Sequence, residues 1–168
     1  IKLLMAKPTK YAPHICTGVT ILALIGIVVG LISGSTLWIV FLLLPAAIYE
    51  AYRTEGKSTK ASSILLVLVL ILEIGFLLFD INFNLAEYLG SSQEYIAGYL
   101  VPLGEIKVVA PVLMAVLSVI LFVRTRGIYT RWLSVTIFVT SFAIVYSIDP
   151  TIFQELLKQA IQQGSRRL

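Results

Sequence analysis

The chain has 168 residues, of which 58% are hydrophobic and only 13% are charged, and its formal net charge is +4. An ordinary soluble domain has about 25% charged and 45–50% apolar residues, so this composition excludes such a domain and is typical of a membrane protein. Because the positive residues lie in short clusters between apolar segments, we attribute the net charge to membrane topology and predict no nucleic-acid partner.

Apolar segments follow one another along the chain and predict a single helical domain with about five transmembrane helices. Residues 11–49 contain no Asp, Glu, Lys or Arg, and Gly34-Ser35-Thr36 divides them into two segments near the ~20 residues that cross a bilayer as a helix. The second span is short and should be kinked by Pro45, and the fifth is also short; if either lay in the interface, the count would fall to four. The predicted spans are residues 15–33, 36–52, 63–83, 105–123 and 132–148.

The basic residues predict the orientation of these spans. With five spans, three groups of Lys and Arg fall on one side, which the positive-inside rule makes the cytoplasmic side. The groups are Lys2, Lys7 and Lys10, then Arg53, Lys57 and Lys60, and then Arg124, Arg126 and Arg131. We therefore predict an integral multi-pass membrane protein with its N-terminus on the cytoplasmic side and its C-terminus on the opposite side.

The segment between the third and fourth spans predicts a short helix on the outer side. Ser91 and Glu94 have the spacing of a capping box, in which each side chain satisfies a free backbone donor of the other residue. The apolar and aromatic run Tyr95 to Val101 follows, and Pro102 comes directly after it. A short helix over this run would account for the pattern.

The C-terminal segment predicts an amphipathic helix over about residues 150–163. Asp149 can cap this helix, Pro150 can open it, and Gly164 can end it. Its apolar face would carry Ile152, Phe153, Leu156, Leu157, Ala160 and Ile161. Such a helix should lie on the membrane surface, dock onto a partner or cover the ends of its own bundle.

Glu73 is the sharpest functional candidate, because it lies at the midpoint of the third predicted span. An ionised acid at that depth costs about 2.5–3.5 kcal/mol on insertion scales, so it must be protonated, paired or facing water. Asp80 and Asn84 continue the same helical face outward, which predicts a proton or cation pathway. The alternative is a structural acid that bonds to a hydroxyl of a neighbouring helix; the candidate partners are Ser118, Thr136, Thr140 and Ser141.

Asp80 also has a structural interpretation, and so does a third acid, Glu50. Lys107 opens the fourth span at a depth near that of Asp80, so we predict an ion pair that fixes the third span against the fourth. Glu50, near the cytoplasmic end of the second span, can extend toward Arg53 and is assigned no function.

Gly26, Gly30 and Gly34 repeat at intervals of four in the first span and expose a flat stripe for close helix packing. The stripe fits a contact within the chain or with another subunit.

No catalytic, metal-binding or cofactor-binding set emerges from the sequence. The single histidine, His14, cannot build a multi-histidine metal site or ligate a haem from both sides. It also belongs at the opposite end of the first span from Ser33 and Ser35, so no Ser-His pair is evident. There is one cysteine, Cys16, and no phosphate-binding glycine loop. We predict no catalytic residue, no metal and no cofactor.

Three hypotheses for function remain. The first, which we favour at this point, is a non-catalytic subunit of a larger membrane complex of respiratory, transport or photosynthetic type, with the lipid bilayer and other membrane subunits or further copies of this chain as partners. The alternative is a component of a proton or cation pathway that uses Glu73. The third, a membrane enzyme acting on lipid, has the least support, because acid, base and nucleophile sets are missing.

Overall fold

The computed structural model describes residues 9–81, 90, 93–96, 99–102 and 106–165. Its helices are α1 (Ala12–Ser33), α2 (Thr36–Arg53), α3 (Lys57–Leu78), α4 (Ile106–Arg124), α5 (Ile128–Ile148) and α6 (Pro150–Ser165), and its two strands are β1 (Gln93–Ile96) and β2 (Tyr99–Pro102). Helices α1 to α5 are each long and apolar enough to cross a membrane, which confirms the predicted count of five candidate spans.

The five long helices form a closed ring. Each packs against its neighbours in sequence, α1 also packs against α5, and α2 contacts α5 across the middle of the bundle. The core lies between them and is built from buried aliphatic side chains such as Ile39, Leu70, Met114 and Ile137. Helices α2 and α5 therefore hold the bundle together, because each of them contacts at least three other helices.

Large apolar side chains cover the outside of the bundle as well as its core. Each of the five long helices exposes some, among them Leu24 at 53%, Phe41 at 59%, Leu72 at 57%, Val123 at 70% and Val139 at 51%. Soluble monomers rarely expose a continuous apolar surface of this kind. Together with the five candidate spans, this surface suggests a multi-pass membrane protein.

Successive helices run in opposite directions, so the α2–α3 and α4–α5 connections lie at the same end of the bundle. Basic residues at these connections make the two ends differ in charge. We call the end where α2 leads into α3 and α4 leads into α5 the basic end, because it carries Arg53, Lys57, Lys60, Arg124, Arg126 and Arg131. Arg124 donates a hydrogen bond to Ser58 Oγ there, at 2.7 Å. At the opposite end, the hydroxyls of Thr36 and Ser147 lie 2.9 Å apart and join α2 to α5.

The break after α1 has the geometry of a glycine helix cap. Gly34 has a φ of +65°, in the left-handed region that glycine adopts without steric penalty. The N–H of Ser35 then donates to the carbonyl of Gly30 at 3.0 Å, which closes the last turn as in a Schellman motif. The chain reverses at this point, so α1 and α2 form the antiparallel pair that the sequence predicts.

Helix α3 is displaced relative to the predicted span of residues 63–83. It begins six residues earlier, at Lys57, because a polar first turn can be helical even though it lies outside the apolar run. It ends five residues earlier, at Leu78, because Asp80 has a φ of +46° and the N–H of Ile81 donates to the carbonyl of Phe76 at 3.1 Å. Asp80 therefore lies beyond the helix, and the predicted continuous helical face from Glu73 to Asp80 is wrong.

The predicted short outer helix over the run Tyr95 to Val101 is also wrong. The described parts of this segment form an antiparallel hairpin, in which Gln93 pairs with Pro102 and Ile96 pairs with Tyr99. Aromatic and β-branched residues favour strands, and Gly98 between the two strands disfavours a helix. The capping-box spacing was outweighed by these preferences.

The C-terminal helix α6 packs partly against its own bundle. The ring of Phe153 makes edge-to-face contacts with Phe142 and Tyr146 of α5, with centroids 6.2 Å and 5.5 Å apart. Further along the helix, Leu157 and Ile161 are 51% and 63% exposed. The helix continues through Gly164 to Ser165, so this glycine does not end it.

Candidate functional site

Glu73 is fully buried in α3, five residues before the helix ends at Leu78, and does not lie at the midpoint expected from the predicted span of residues 63–83. Helix α3 packs against α2 and α4. Both of its carboxyl oxygens are inaccessible to solvent, and neither has a hydrogen-bond partner in the described part of the chain. A buried polar group without a partner costs about 1–3 kcal/mol, and a charged one costs more. The position therefore carries an energetic penalty that an apolar residue would avoid.

The hydroxyls proposed as partners of Glu73 are bonded elsewhere. Ser118, Thr140 and Ser141 donate to backbone carbonyls of their own helices at 2.7–2.8 Å. Thr136 donates to the carbonyl of Trp132 at 3.1 Å and faces Thr20 of α1. The interpretation of Glu73 as an acid held by one of these hydroxyls is therefore wrong.

The end of the bundle beyond Glu73 carries an ion pair. Lys107 Nζ donates to Asp80 Oδ1 at 2.7 Å, so the structure brings together the two residues that the sequence paired. The side chain of Lys107 is 14% exposed and that of Asp80 is 78% exposed, and an ion pair this accessible contributes only about 0–1 kcal/mol. Asn84, the last predicted member of the pathway, lies outside the described residues.

A second buried acid lies at the basic end, and the sequence analysis assigned it no function. Glu50 is 0% exposed, although it was expected to extend from the span boundary toward Arg53. Its Oε1 accepts a hydrogen bond from Thr54 Oγ1 at 3.1 Å, whereas its Oε2 has no partner among the described residues. Thr54 also donates to the backbone carbonyl of Glu50 at 2.8 Å, so this hydroxyl is shared between two acceptors.

Aromatic rings hold a positive charge beside Glu50. The guanidinium of Arg53 lies over the ring of Tyr49 at 5.9 Å and over that of Tyr129, on α5, at 5.3 Å. It also donates to Tyr49 Oη at 3.5 Å. Desolvated cation–π contacts contribute about 2 kcal/mol or more, so these rings can fix the charge near the bundle interior. We call Tyr49, Glu50, Arg53, Thr54 and Tyr129 the basic-end cluster.

Buried hydroxyls occupy the levels between the two acids. Ser63, Ser118 and Ser134 each lie six residues from the basic end of α3, α4 and α5, which is about 9 Å along the axis. Thr140 and Ser141 lie at about 18–20 Å, close to the level of Glu73 at about 24 Å. Each of these hydroxyls is nearly inaccessible and donates to a carbonyl of its own helix, which leaves its oxygen able to accept a hydrogen bond.

Two of the three glycines of the predicted stripe pack within the chain. A Cβ at Gly26 would lie 2.9 Å from Leu42 Cβ, and one at Gly30 would lie 2.3 Å from Ile39 Cγ1, so α1 approaches α2 closely at both positions. A Cβ at Gly34 would meet nothing within 4 Å, and this residue ends the helix instead. The choice between an internal contact and a contact with another subunit is resolved for Gly26 and Gly30 in favour of the internal one.

Within the described ranges, no three His, Cys, Asp or Glu side chains come close enough together to hold a metal ion. His14 is exposed near the start of α1. The comparisons with known proteins add no assignment, since no family model, no curated protein and no solved structure matches the chain.

Proposed function

We propose that this chain is a proton-conducting component of a membrane, in which the carboxyl group of Glu73 takes up and releases the transported proton. The supporting observation is that Glu73 is fully buried within a candidate span, about 7.5 Å from the end of α3, and has no hydrogen-bond partner in the described part of the chain. Intramembrane acids are rare because of their cost, and they mark proton or ion pathways where they persist.

A proton fits this position better than a metal cation does. A dehydrated cation such as Ca²⁺ needs six to eight oxygen ligands, whereas a proton needs a single carboxylate oxygen. Glu73 supplies that oxygen, and Lys107 at the nearby end of the bundle is paired with Asp80. Within the described residues, no group of three or more His, Cys, Asp or Glu side chains that could hold a metal ion is present.

The role of a non-catalytic subunit, expected from the sequence, is the second candidate and is compatible with the first. It is favoured by α6, which leaves Leu157 and Ile161 exposed on a polar helix at the end of the bundle. The glycine stripe no longer supports it, because Gly26 and Gly30 pack against α2. A chain that copurifies with other polypeptides after mild detergent extraction would support this role, and a stable isolated monomer would count against it.

The test of proton conduction is a flux measurement in reconstituted vesicles. Purified protein is inserted into liposomes that contain a pH-sensitive dye, and a pH gradient is applied in the presence of a potassium ionophore. Replacing Glu73 by Gln keeps the side-chain shape and removes the exchangeable acid, so E73Q should lower the flux by about 10²-fold or more. The matched control is E55Q, which removes an exposed acid at the basic end and should leave the flux unchanged. The proposal would be contradicted if E73Q gave the same flux as the unaltered chain. It would also be contradicted if the unaltered chain, shown to be folded, gave no more flux than empty vesicles.

A further inference from the structure

We propose that Glu50 is a second proton-carrying acid, through which protons enter and leave the bundle at its basic end. This inference rests on the proposed proton conduction through Glu73 and extends it to the other side of the membrane. It assigns a transport role to a residue that the sequence analysis described only as an acid able to extend toward Arg53.

The burial of Glu50 does not fit a simple structural role. A single hydrogen bond from Thr54 to Oε1 is its only side-chain bond among the described residues, and Oε2 is buried without one. Thr54 already has the backbone carbonyl of Glu50 as an acceptor, so the hydroxyl does not need the carboxylate. An alanine or leucine at position 50 would complete the apolar stripe of α2 without a buried oxygen.

The position of Glu50 suits exchange with water at the basic end. It lies three residues before the end of α2, which is about 4.5 Å along the axis. The charged and titratable groups around it are Arg53 on its own helix, Cys16 on α1, Lys60 on α3 and Tyr129 on α5. Lys60 Nζ donates to the carbonyl of Ala51. Glu50 is thus the only carboxylate of this group, and Arg53 and Lys60 are its positively charged members.

Glu50 and Glu73 lie on adjacent antiparallel helices, about 20 Å apart along the bundle axis. That separation is too large for direct transfer, so the path needs intermediate water. The hydroxyls of Ser63, Ser118 and Ser134 lie between the two levels and are almost inaccessible in this packing, so water enters only when the helices move apart, and their oxygens then accept hydrogen bonds from it.

The transfer is balanced in protons and needs no other reactant. A proton from water at the basic end binds the Glu50 carboxylate and forms a carboxylic acid. The acid passes a proton along the intermediate water to the Glu73 carboxylate and becomes a carboxylate again. Glu73 then releases the proton toward the end that carries Asp80 and Lys107, or the steps run in reverse. Only O–H bonds form and break, and the direction follows the gradient.

The experiment compares four variants in the same vesicle assay. E50Q should lower the flux by about 10²-fold or more, because the acid is lost with its shape retained. E55Q, in which the removed acid is exposed and five residues away, should leave the flux unchanged. E73Q is measured beside them, and E50L is the fourth variant. If E50Q does not fold, E50L tests the same point, because it leaves no unpartnered polar group.

The outcomes separate this inference from the proposed function. If E73Q conducts like the unaltered chain, the proposed function is wrong and this inference is wrong with it. If E73Q blocks conduction while E50Q or E50L conducts normally, only the role of Glu50 is wrong. Equal losses in E50Q and E55Q would also overturn it, because they would point to the general surface charge of the basic end.

Discussion

A buried Glu73 without hydrogen-bond partners should lower the stability of the bundle, and its proposed role as a proton carrier would explain why an acid is kept there. Leu at the same position has no polar oxygen that needs a partner. We therefore expect E73L to raise the free energy of unfolding by about 1–3 kcal/mol, the usual penalty of a buried unpartnered polar group, while it abolishes conduction. Thermal unfolding in detergent, followed by circular dichroism, measures the change.

The control for E73L is Leu70, which is fully buried one turn earlier on the same helix. L70A should lower the free energy of unfolding by about 2–5 kcal/mol, because it opens a cavity in the packed face. Its loss shows that the assay responds to this part of the core. An E73L protein that unfolds at a lower temperature than the unaltered chain would mean that Glu73 has stabilising partners after all.

Asp149 gives the start of α6 a dependence on pH. Its carboxylate accepts hydrogen bonds from Thr151 Oγ1 at 2.6 Å and from the Thr151 N–H at 2.8 Å. The bond from the Thr151 hydroxyl, with smaller help from backbone N–H groups, holds the pKa of Asp149 below its ordinary value. Because the folded-state pKa is the lower one, the stabilisation is fully present above the ordinary pKa of about 3.9 and is lost as the pH falls through the folded-state value.

Hydrogen exchange at the first turn of α6 tests this dependence. Protection of the Ile152 and Phe153 amides, corrected for the intrinsic exchange rate, should be constant above about pH 4 and decrease below it. D149N provides the control, since Asn can still accept a capping hydrogen bond but does not titrate. A decrease that persists unchanged in D149N would assign the effect to another group.

The close approach of α1 to α2 depends on Gly30. A methyl group there would overlap Ile39 Cγ1, which is fully buried and cannot move far, so G30A should lower the free energy of unfolding by about 1–3 kcal/mol. Gly18, in the same helix, has nothing within 4 Å of an added Cβ. G18A should therefore leave the free energy of unfolding unchanged or raise it by up to about 1 kcal/mol, because alanine favours a helix more than glycine does. Thermal unfolding of both variants in one detergent decides the point, and equal stability of G30A and G18A would contradict the packing assigned to Gly30.

Sequence patterns predicted the existence of the helices better than their ends. The apolar run of the third span was visible, but hydropathy alone cannot tell that the polar turn at Lys57 is already helical. It also cannot foresee that Asp80 adopts a left-handed conformation and closes the helix. The helix–strand error at residues 93–102 has a similar origin, because a ten-residue segment is too short for periodicity to distinguish the two structures.

The two buried acids differ in how visible they were. Glu73 stood out because it interrupts a long apolar run, whereas Glu50 lies beside Arg53 and resembled an ordinary boundary residue. A signal for Glu50 was present in the helical spacing, because it continues the buried stripe of α2. That stripe consists of Ile39, Leu43, Ala46 and Glu50, and the equivalent stripe of α3 consists of Ser63, Leu66, Leu70 and Glu73. The missing hydrogen bonds of both acids depend on the packing of several helices and could not be predicted from the sequence.

At the scale of the whole molecule, α2 and α5 are tied together at both ends of the bundle. The Thr36–Ser147 hydroxyl contact joins them at one end, and the stacking of Arg53 on Tyr129 joins them at the basic end. Glu50 lies on α2 and Glu73 lies on its neighbour α3. A shift of α2 relative to α5 would therefore change the surroundings of Glu50 directly. The proposed proton path thus includes one of the two helices that hold the bundle together.

The basic end and α6 lie at opposite ends of the bundle, so five membrane crossings would put them on opposite faces of the membrane, and the basic residues predict that the basic end is cytoplasmic. Single-cysteine variants test this prediction, with Cys16 replaced by Ala as background. Lys57→Cys probes the basic end and Lys158→Cys probes α6, and both positions are exposed. A membrane-impermeant thiol reagent added to intact cells should label Lys158→Cys alone, and inverted vesicles should show the reverse. Labelling of both variants from the same side would require an even number of crossings between residues 57 and 158, and the burial of Glu50 and Glu73 within one bilayer would have to be reassigned.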